Sequence, residues 1–182
     1  EVTSVRVNPL KEVAASPNTC VGMPEECFPD YLPAEVEERV LWTRLGYYLK
    51  ERPVFTLDPL FHAGAYYVQE ASSQFAGYII SEVMGGSEAC RGLRVLDMCA
   101  APGGKSIQIA NRIPNGVLVC NEIVKSRSEI LHSNIERMGL KNVIIANDTP
   151  ENIGEAYGNT FDVCVVDAPC SGEGMFRRGE DV

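Results

Sequence analysis

The sequence predicts an α/β fold, in which the strands of a parallel sheet alternate with helices, together with a small N-terminal α+β appendage. Short apolar runs that end in an acidic or amide residue recur four times after residue 90, and stretches with helical spacing lie between the first of them. A glycine-rich turn joins the first run to the helix that follows, which is how α/β domains build a ligand crevice. These observations predict the α/β domain over residues 66–182 and the appendage over residues 1–65.

The composition is ordinary for a globular protein, since 45% of the 182 residues are hydrophobic and 23% are charged. We expect no membrane span, because no apolar run reaches about 18 residues, and no secretory signal at the start of the chain. The net charge of −9 argues against a strongly basic nucleic-acid surface but leaves room for a local basic patch. Seven cysteines without a CxxC pair indicate reduced thiols, a cytoplasmic setting and no metal site.

The predicted appendage begins with a short strand at Val5–Val7. A loop rich in proline follows, with Pro17, Pro24, Pro29 and Pro33. The stretch from Ala34 to Leu41 has apolar residues at helical spacing, but the chain up to Leu49 fits a hairpin around Gly46 equally well. Both alternatives stay open at this point.

The predicted α/β domain opens with a helix that is capped by Gln69–Ser73 and ends at Gly85–Gly86. Its first strand is Arg94–Asp97 and its first crossover helix is Ser106–Arg112. The further predicted elements are a strand at Val117–Cys120, a helix that starts with a Ser126–Glu129 capping box and ends at Gly139, a strand at Val143–Ala146 and a strand at Phe161–Val166. Such a succession predicts a parallel sheet with helices on both faces.

Each of the four predicted strands delivers an acid at its carboxyl end, and these acids are Asp97, Glu122, Asp148 and Asp167. A single acid at such a position is explained equally well as a solvated turn residue. Four of them at one sheet edge, beside one glycine turn, predict a ligand site.

Three ligand classes compete for the turn at Gly103–Ser106. A P-loop requires glycine where this chain has Cys99, and a dinucleotide site requires a G-x-G-x-x-G pattern that is missing, so neither phosphate cradle fits. The remaining class is an adenosine-type ligand without phosphate, which means S-adenosylmethionine. Glu122, about 20 residues after the turn, is then placed to bind the ribose hydroxyls, and Asp148 lies near the adenine edge.

The fourth strand end indicates the methyl acceptor, because Asp167 and Cys170 stand beside the expected methyl donor. Carbon-5 of cytosine is a poor nucleophile until a thiolate adds to carbon-6 of the same ring. An aspartate that is hydrogen-bonded to N3 or N4 of the base can stabilise the charge that this addition creates. The alternative interpretation of Cys170 is a buried structural cysteine.

Two motifs, LDMCAAPGGKS (96–106) and VDAPCSGEG (166–174), resemble those of the NOP/SUN-type RNA cytosine-5 methyltransferases. SVRVNPLK (4–11) and HAGAYYVQEASS (62–73) are similar to the bacterial small-subunit ribosomal RNA branch of that family, while residues 12–38 match no part of it. The resemblance implies the first four strands of a Rossmann-like, S-adenosylmethionine-dependent methyltransferase fold. It also implies an RNA partner, with small-subunit ribosomal RNA as the substrate.

The same resemblance implies roles for individual residues. It places Cys99, Ala100, Ala101, Pro102, Gly103, Gly104 and Lys105 in the cofactor loop, Glu122 at the ribose, Asp148 by the adenine, and Asp167 between cofactor and target base. Cys170 would assist release of the methylated product, and the attacking thiol would belong to a later Thr-Cys-Ser/Thr segment. The only Thr-Cys pair here, Thr19-Cys20, precedes the cofactor motif. We therefore expect a fragment that binds cofactor without turnover.

Two rival functions remain at this point. In a DNA cytosine-5 methyltransferase the thiol of Cys170 itself would attack the base, and a non-catalytic module would bind cofactor or RNA alone. Phosphate contacts are possible for Arg177 and Arg178, with Lys105 and Arg112 nearby, although surface arginines need no such role. The sequence identifies neither the target nucleotide nor the oligomeric state.

Overall fold

The structure, a computed structural model, describes residues 2–11, 28–83 and 92–168. In chain order its elements are β1 (Thr3–Val7), β2 (Val36–Arg39), β3 (Gly46–Leu49), a 3-10 turn (Phe55–Leu57), α1 (Pro59–His62), β4 (Tyr66–Val68), α2 (Ala71–Val83), β5 (Arg94–Asp97), α3 (Gly104–Arg112), β6 (Val117–Asn121), α4 (Lys125–Met138), β7 (Val143–Ala146), α5 (Pro150–Tyr157) and β8 (Val163–Val165). The expectations for Pro17, Pro24, Thr19-Cys20, Gly85–Gly86, Cys170 and Arg177–Arg178 lie outside the described residues. Within the described ranges, no helix combines the length and the apolar character that a membrane crossing requires.

The N-terminal elements form an antiparallel sheet in the order β2-β3-β1-β4. The hairpin alternative for the segment before Leu49 is therefore the one that the structure adopts. Glycine suits the start of β3 at position 46, because a Cβ atom there would lie 2.6 Å from Cγ2 of Thr43 and 2.9 Å from Cβ of Val40. The strand β4 was not predicted, since Tyr66, Tyr67 and Val68 are consecutive apolar residues and show no alternating pattern. Its pairing carries the first sheet to Val68, and the predicted division after residue 65 stays a prediction.

The second sheet has the order β7-β6-β5-β8, and all of its strand pairs are parallel. The helices α3, α4 and α5 connect successive strands. A buried core joins the sheet to α3 and α4, with Val95, Leu118, Ile107, Leu131 and Met138 among its members. This arrangement is the Rossmann-like α/β architecture that the sequence predicted.

The strands β5 and β7 have the predicted bounds, and Gly139 ends α4 in the left-handed conformation (φ 73°), as expected for a C-cap. The predicted capping box is wrong. The N-cap of α4 is Val124, so Ser126 lies inside the helix and no side chain caps it. The helix α5 was not predicted, although Thr149 accepts a hydrogen bond at its N-cap and Pro150 begins it, which are both standard start signals.

The sequence predicted that helices cover both faces of the parallel sheet. In the part of the chain that the structure describes, only one face is fully covered. Val95 and Leu118 lie under α3 and α4. On the opposite face Leu96 is buried, but Ile144 is 56% exposed and Cys164 is exposed as well. The sheet therefore keeps an open apolar surface near its two outer strands.

A polar seam on the face of β1 that carries Ser4 and Arg6 links the N-terminal sheet to the α/β part of the chain. The Ser4 hydroxyl donates to the carbonyl of Gln69 (2.7 Å), and Nε of Arg6 donates to Oε1 of Gln69 (3.2 Å). Arg6 is only 3% exposed, and its burial lowers the pKa of the guanidinium to about 10. Gln69 also approaches Gln108 of α3, with 3.5 Å between the two side-chain amides. The seam thus connects the N-terminal sheet with the helix that follows the glycine turn.

Candidate functional site

The carboxylate of Asp97, at the end of β5, is directed into the protein. Asp97 is 2% exposed and accepts a hydrogen bond from Oγ of Ser106 in α3 (2.7 Å). Burial raises its pKa, against the opposing effects of the Ser106 hydroxyl and of the Cys99 backbone amide. The hydrogen bond between Asp97 and Ser106 therefore links β5 to α3.

The turn from Cys99 to Gly104 is a closely packed loop between β5 and α3. Ala100 and Ala101 are buried, and the amide of Ala100 donates to the carbonyl of Asn121 in β6 (2.9 Å). Gly103 is the N-cap of α3 with φ 110°, a conformation that L side chains rarely adopt. The glycine at 103 is therefore dictated by the shape of the loop.

One face of α4 holds this loop. The guanidinium of Arg127 donates to the carbonyl of Ala101 (3.0 Å), and the amide of Asn134 donates to the carbonyl of Pro102 (2.9 Å). Leu131 lies between them, and its Cδ1 would be 3.1 Å from a Cβ atom at Gly103. Sequence reasoning missed Arg127 and Asn134. Their spacing of four and three residues from Leu131 on a predicted helix was the available signal.

Glu122, directly after β6, carries a buried carboxylate with unused hydrogen-bonding capacity. The residue is 2% exposed, and its Oε1 accepts from the backbone amide of Val124 (3.0 Å). Its Oε2 lies 3.2 Å from the Arg127 guanidinium but accepts no hydrogen bond among the described residues. Because buried polar atoms are nearly always hydrogen-bonded, this oxygen marks a place where a ligand donor would fit.

Asp148, at the end of β7, is connected to β6 by the side chain of Asn121. The Asn121 amide donates to the Asp148 carbonyl (3.0 Å) and its Oδ1 accepts from the Asp148 amide (3.1 Å). The Asp148 carboxylate accepts from the side chain of Asn152 (2.6 Å) and the backbone of Thr149 (2.8 Å), which lowers its pKa. Asp148 is exposed, so an ionised carboxylate faces solvent at this strand end.

Asp167 follows β8 and forms an ion pair with Lys105, the second residue of α3. This pair joins the glycine turn to the fourth strand end. Burial, and after it the charges of Glu122, Asp97 and Asp167, raise the pKa of the Cys99 thiol. The structure brings together every predicted site residue that it describes, around the ends of β5, β6 and β8, with Asp148 attached through Asn121.

Two family models match the chain. The model described as 16S rRNA methyltransferase RsmB/F matches residues 89–182, which is more than half of the chain. The model described as the N-terminal domain of 16S rRNA methyltransferase RsmF matches residues 1–71. Together they cover both sheets.

Curated relatives match over a shared stretch. The ribosomal RNA small subunit methyltransferase F of Serratia proteamaculans (strain 568) is 44% identical over 120 residues, which is 65% of this chain and 24% of that protein. The protein of the same name from Vibrio parahaemolyticus serotype O3:K6 is 43% identical over 120 residues, with the same coverage of 65% and 24%. The chain thus spans about a quarter of the length of these relatives.

Solved structures share the fold. A methyltransferase homolog protein from Pyrococcus horikoshii aligns with a TM-score of 0.72 and 28% identity, covering 99% of this chain and 54% of that chain. The NSun6 structure from Pyrococcus horikoshii, solved with SFG, aligns with a TM-score of 0.55 and 28% identity over 65% of this chain and 29% of that chain. These alignments confirm the predicted Rossmann-like methyltransferase fold.

Proposed function

This chain belongs to the RsmB/F family of 16S rRNA methyltransferases, and from that membership we propose that its α/β core binds S-adenosylmethionine for methyl transfer to carbon-5 of a cytosine in small-subunit ribosomal RNA. When bound, S-adenosylmethionine supplies an activated methyl group. The observation that carries the proposal is the buried Oε2 of Glu122, which accepts no hydrogen bond among the described residues. A ribosomal RNA substrate also makes the cytoplasm the place of action.

The proposed ribose partner is Glu122. A carboxylate accepts several hydrogen bonds, and the two ribose hydroxyls of the cofactor would supply the donors that Oε2 lacks. The guanidinium of Arg127 lies 3.2 Å from this oxygen. Ile123, the next residue, is 57% exposed and offers an apolar surface beside the ribose site for the adenine.

The proposed contacts to the rest of the cofactor come from Cys99–Lys105 and Asp148. The absence of a side chain at Gly103 lets the loop pack closely against Leu131 of α4. Arg127 and Asn134 hold the carbonyls of Ala101 and Pro102 from the side of α4. Asp148 is exposed and ionised next to β6, which supports its proposed place near the amino edge of the adenine.

The proposed role of Asp167 concerns the target base. Its carboxylate forms an ion pair with Lys105, the second residue of α3, and so lies beside the glycine turn. A carboxylate there can accept a hydrogen bond from N4 of a cytosine and so orient the ring. In the whole protein a cysteine thiolate would add to carbon-6 of that ring. The product-release role of Cys170, which lies outside the described residues, stays a prediction from the family resemblance.

Isothermal titration of the 182-residue chain with S-adenosylmethionine tests the cofactor part of the proposal. Glu122→Gln should raise the Kd by about 10- to 100-fold, because hydrogen bonds to a charged acceptor contribute roughly 1.5–3 kcal/mol. The matched control is Glu129→Gln, an exposed position on α4, which should leave the Kd unchanged. Melting curves of both variants check that the fold persists. An unaltered Kd for Glu122→Gln would refute the assignment.

The RNA part needs the whole protein. There, replacement of Cys170 by alanine should let a covalent enzyme–RNA adduct accumulate on small-subunit ribosomal RNA, because product release would be lost while attack continues. Gel electrophoresis under denaturing conditions detects the adduct. Loss of all adduct would instead make Cys170 the attacking thiol, as in the DNA enzymes.

A further inference from the structure

A series of hydrogen bonds connects the N-terminal sheet with the loop at Cys99–Gly104. Nη1 of Arg137 donates to the carbonyls of Phe61 (2.6 Å) and Tyr66 (3.3 Å). Phe61 lies in α1 and Tyr66 in β4 of the N-terminal sheet, and the described residues up to Val68 are called the N-terminal unit below. Nη2 of Arg137 donates to Oδ1 of Asn134 (3.2 Å), and the amide nitrogen of Asn134 donates to the Pro102 carbonyl (2.9 Å). The two side chains of α4 thus bridge the N-terminal unit and the loop.

The surroundings of the Arg137 guanidinium restrict its orientation. The guanidinium is half-buried, and its Cζ lies 4.3 Å from the ring centroid of Phe61. None of the acidic residues that the structure describes lies within ion-pair distance of it. Its donors are directed instead to the carbonyl oxygens of Phe61 and Tyr66 and to Oδ1 of Asn134.

The end of α4 is seated against the N-terminal unit without spare room. A Cβ atom at Gly64 would lie 2.0 Å from the carbonyl oxygen of Arg137, so only glycine allows this approach. The side chain of Asn8 donates to the carbonyls of Gly64 and Met138, at 2.8 Å each. The end of α4 that carries Arg137 is therefore held in a fixed position against the N-terminal unit.

The Asn134 side chain can hold the loop in one of its two orientations only. If its amide turned by 180°, its oxygen would face the Pro102 carbonyl and the contact would become repulsive. Arg137 has donors and no acceptor, so it pairs with the oxygen of Asn134 and turns the nitrogen towards the loop. The orientation that binds Pro102 is thus selected by a residue anchored on the N-terminal sheet.

We propose that Arg137 and Asn134 are positioning residues, through which the N-terminal unit holds the loop at Cys99–Gly104 in its cofactor-binding form. The inference rests on the proposed function, because it takes this loop as the cofactor loop. It adds that the N-terminal unit contributes to cofactor affinity without touching the cofactor.

The experiment compares two variants of the 182-residue chain with a matched control. Asn134→Asp keeps an acceptor for Arg137 but removes the donor to Pro102, and Arg137→Met removes the bridge from the other end. The control is Asn142→Ala, since the amide of Asn142 donates to the carbonyls of Ala110 (3.0 Å) and Ile113 (2.9 Å) at the far end of α3. The control loses the same kind of bond at a place remote from the loop.

Two readouts are taken for each variant: the Kd for S-adenosylmethionine by calorimetry, and amide hydrogen exchange of residues 99–105 without ligand. We expect Asn134→Asp and Arg137→Met to raise the Kd by about two- to tenfold, the equivalent of one lost hydrogen bond, and to speed exchange in the loop. Asn142→Ala should lower the melting temperature and leave both readouts unchanged. A purely structural role would lower stability in all three variants without this split.

The outcomes separate the inference from the function on which it rests. If the unaltered chain binds no S-adenosylmethionine but loop exchange still quickens in both variants, the cofactor assignment fails and the positioning role stands. If the unaltered chain binds and both variants leave Kd and exchange unchanged, the positioning role is overturned and the function stands. Should Arg137→Met fail to fold, Asn134→Asp decides alone, because it preserves the partner of Arg137.

Discussion

Replacing Gly103 by alanine should destabilise the chain, whereas the same replacement at Gly154 should stabilise it. Gly103 has φ 110°, and a Cβ atom there would also lie 3.1 Å from Cδ1 of Leu131. Gly154 lies inside α5, and a Cβ atom there would meet nothing within 4 Å. The same change from glycine to alanine is thus tested at a position with positive φ and at a position inside a helix.

The magnitudes follow from these surroundings. A left-handed conformation costs a residue with a Cβ atom roughly 1–2 kcal/mol, and the contact with Leu131 requires a small additional shift. In a helix interior, alanine is more favourable than glycine by roughly 0.5–1 kcal/mol. The two variants should therefore differ by about 1.5–3 kcal/mol in the free energy of unfolding. For a chain of this size the difference corresponds to roughly 4–10 °C in melting temperature.

Urea unfolding followed by circular dichroism, with thermal melts alongside, measures both values. The Gly103→Ala variant should additionally bind S-adenosylmethionine more weakly, because its loop shifts, while Gly154→Ala should bind as the unaltered chain does. A Gly103→Ala variant that is as stable as the unaltered chain, or more stable, would show that Gly103 is not held in the left-handed conformation.

Two further predictions concern titratable groups. The bonds from Arg94 lower the pKa of Asp162 from 3.8 to about 2, so the stability that this group contributes is present above pH 4 and is lost as the pH falls through 2. Asp162→Asn should flatten the stability profile between pH 4 and pH 2 in urea titrations, and an unchanged slope would count against the ion pair. Burial and the neighbouring carboxylates raise the pKa of Cys99, so its alkylation by iodoacetamide at pH 8 should be slower than that of a free cysteine peptide. Peptide mass spectrometry measures the rate, which Glu122→Gln should increase; alkylation at the rate of the free peptide would contradict the prediction.

The parallel sheet was predictable because its strands are short apolar runs with clear limits. Arg94–Asp97 begins and ends with a charged residue, Val143–Ala146 lies between two asparagines, and the bounds of both agree with the structure. The start of α4 was not predictable from capping rules. Val124 caps no amide with its side chain, and the helix is held by the packing of residues such as Leu131 instead.

The candidate site could be predicted in part. Residues at strand ends, such as Glu122 and Asp167, follow from the rule that ligands bind at the carboxyl edge of a parallel sheet. The residues that hold the loop do not follow from it. Arg127 and Asn134 act on carbonyls 26 and 32 positions earlier in the chain, and Arg137 acts on one 76 positions away. Helical spacing places Arg127 and Asn134 on the same face as Leu131, but it does not show which distant carbonyls they bind, and that becomes visible only in the folded chain.

The open face of the parallel sheet affects how copies of this chain behave in concentrated solution. Ile144 and Cys164 place apolar surface in water on the outer strands of the described sheet, where a second copy could cover it. The net charge of −9 opposes such an encounter through repulsion between copies. Salt weakens that repulsion, since the screening length falls from about 10 Å at 0.1 M to about 3 Å at 1 M. The same chain is therefore colloidally protected in dilute buffer and loses that protection as the ionic strength rises.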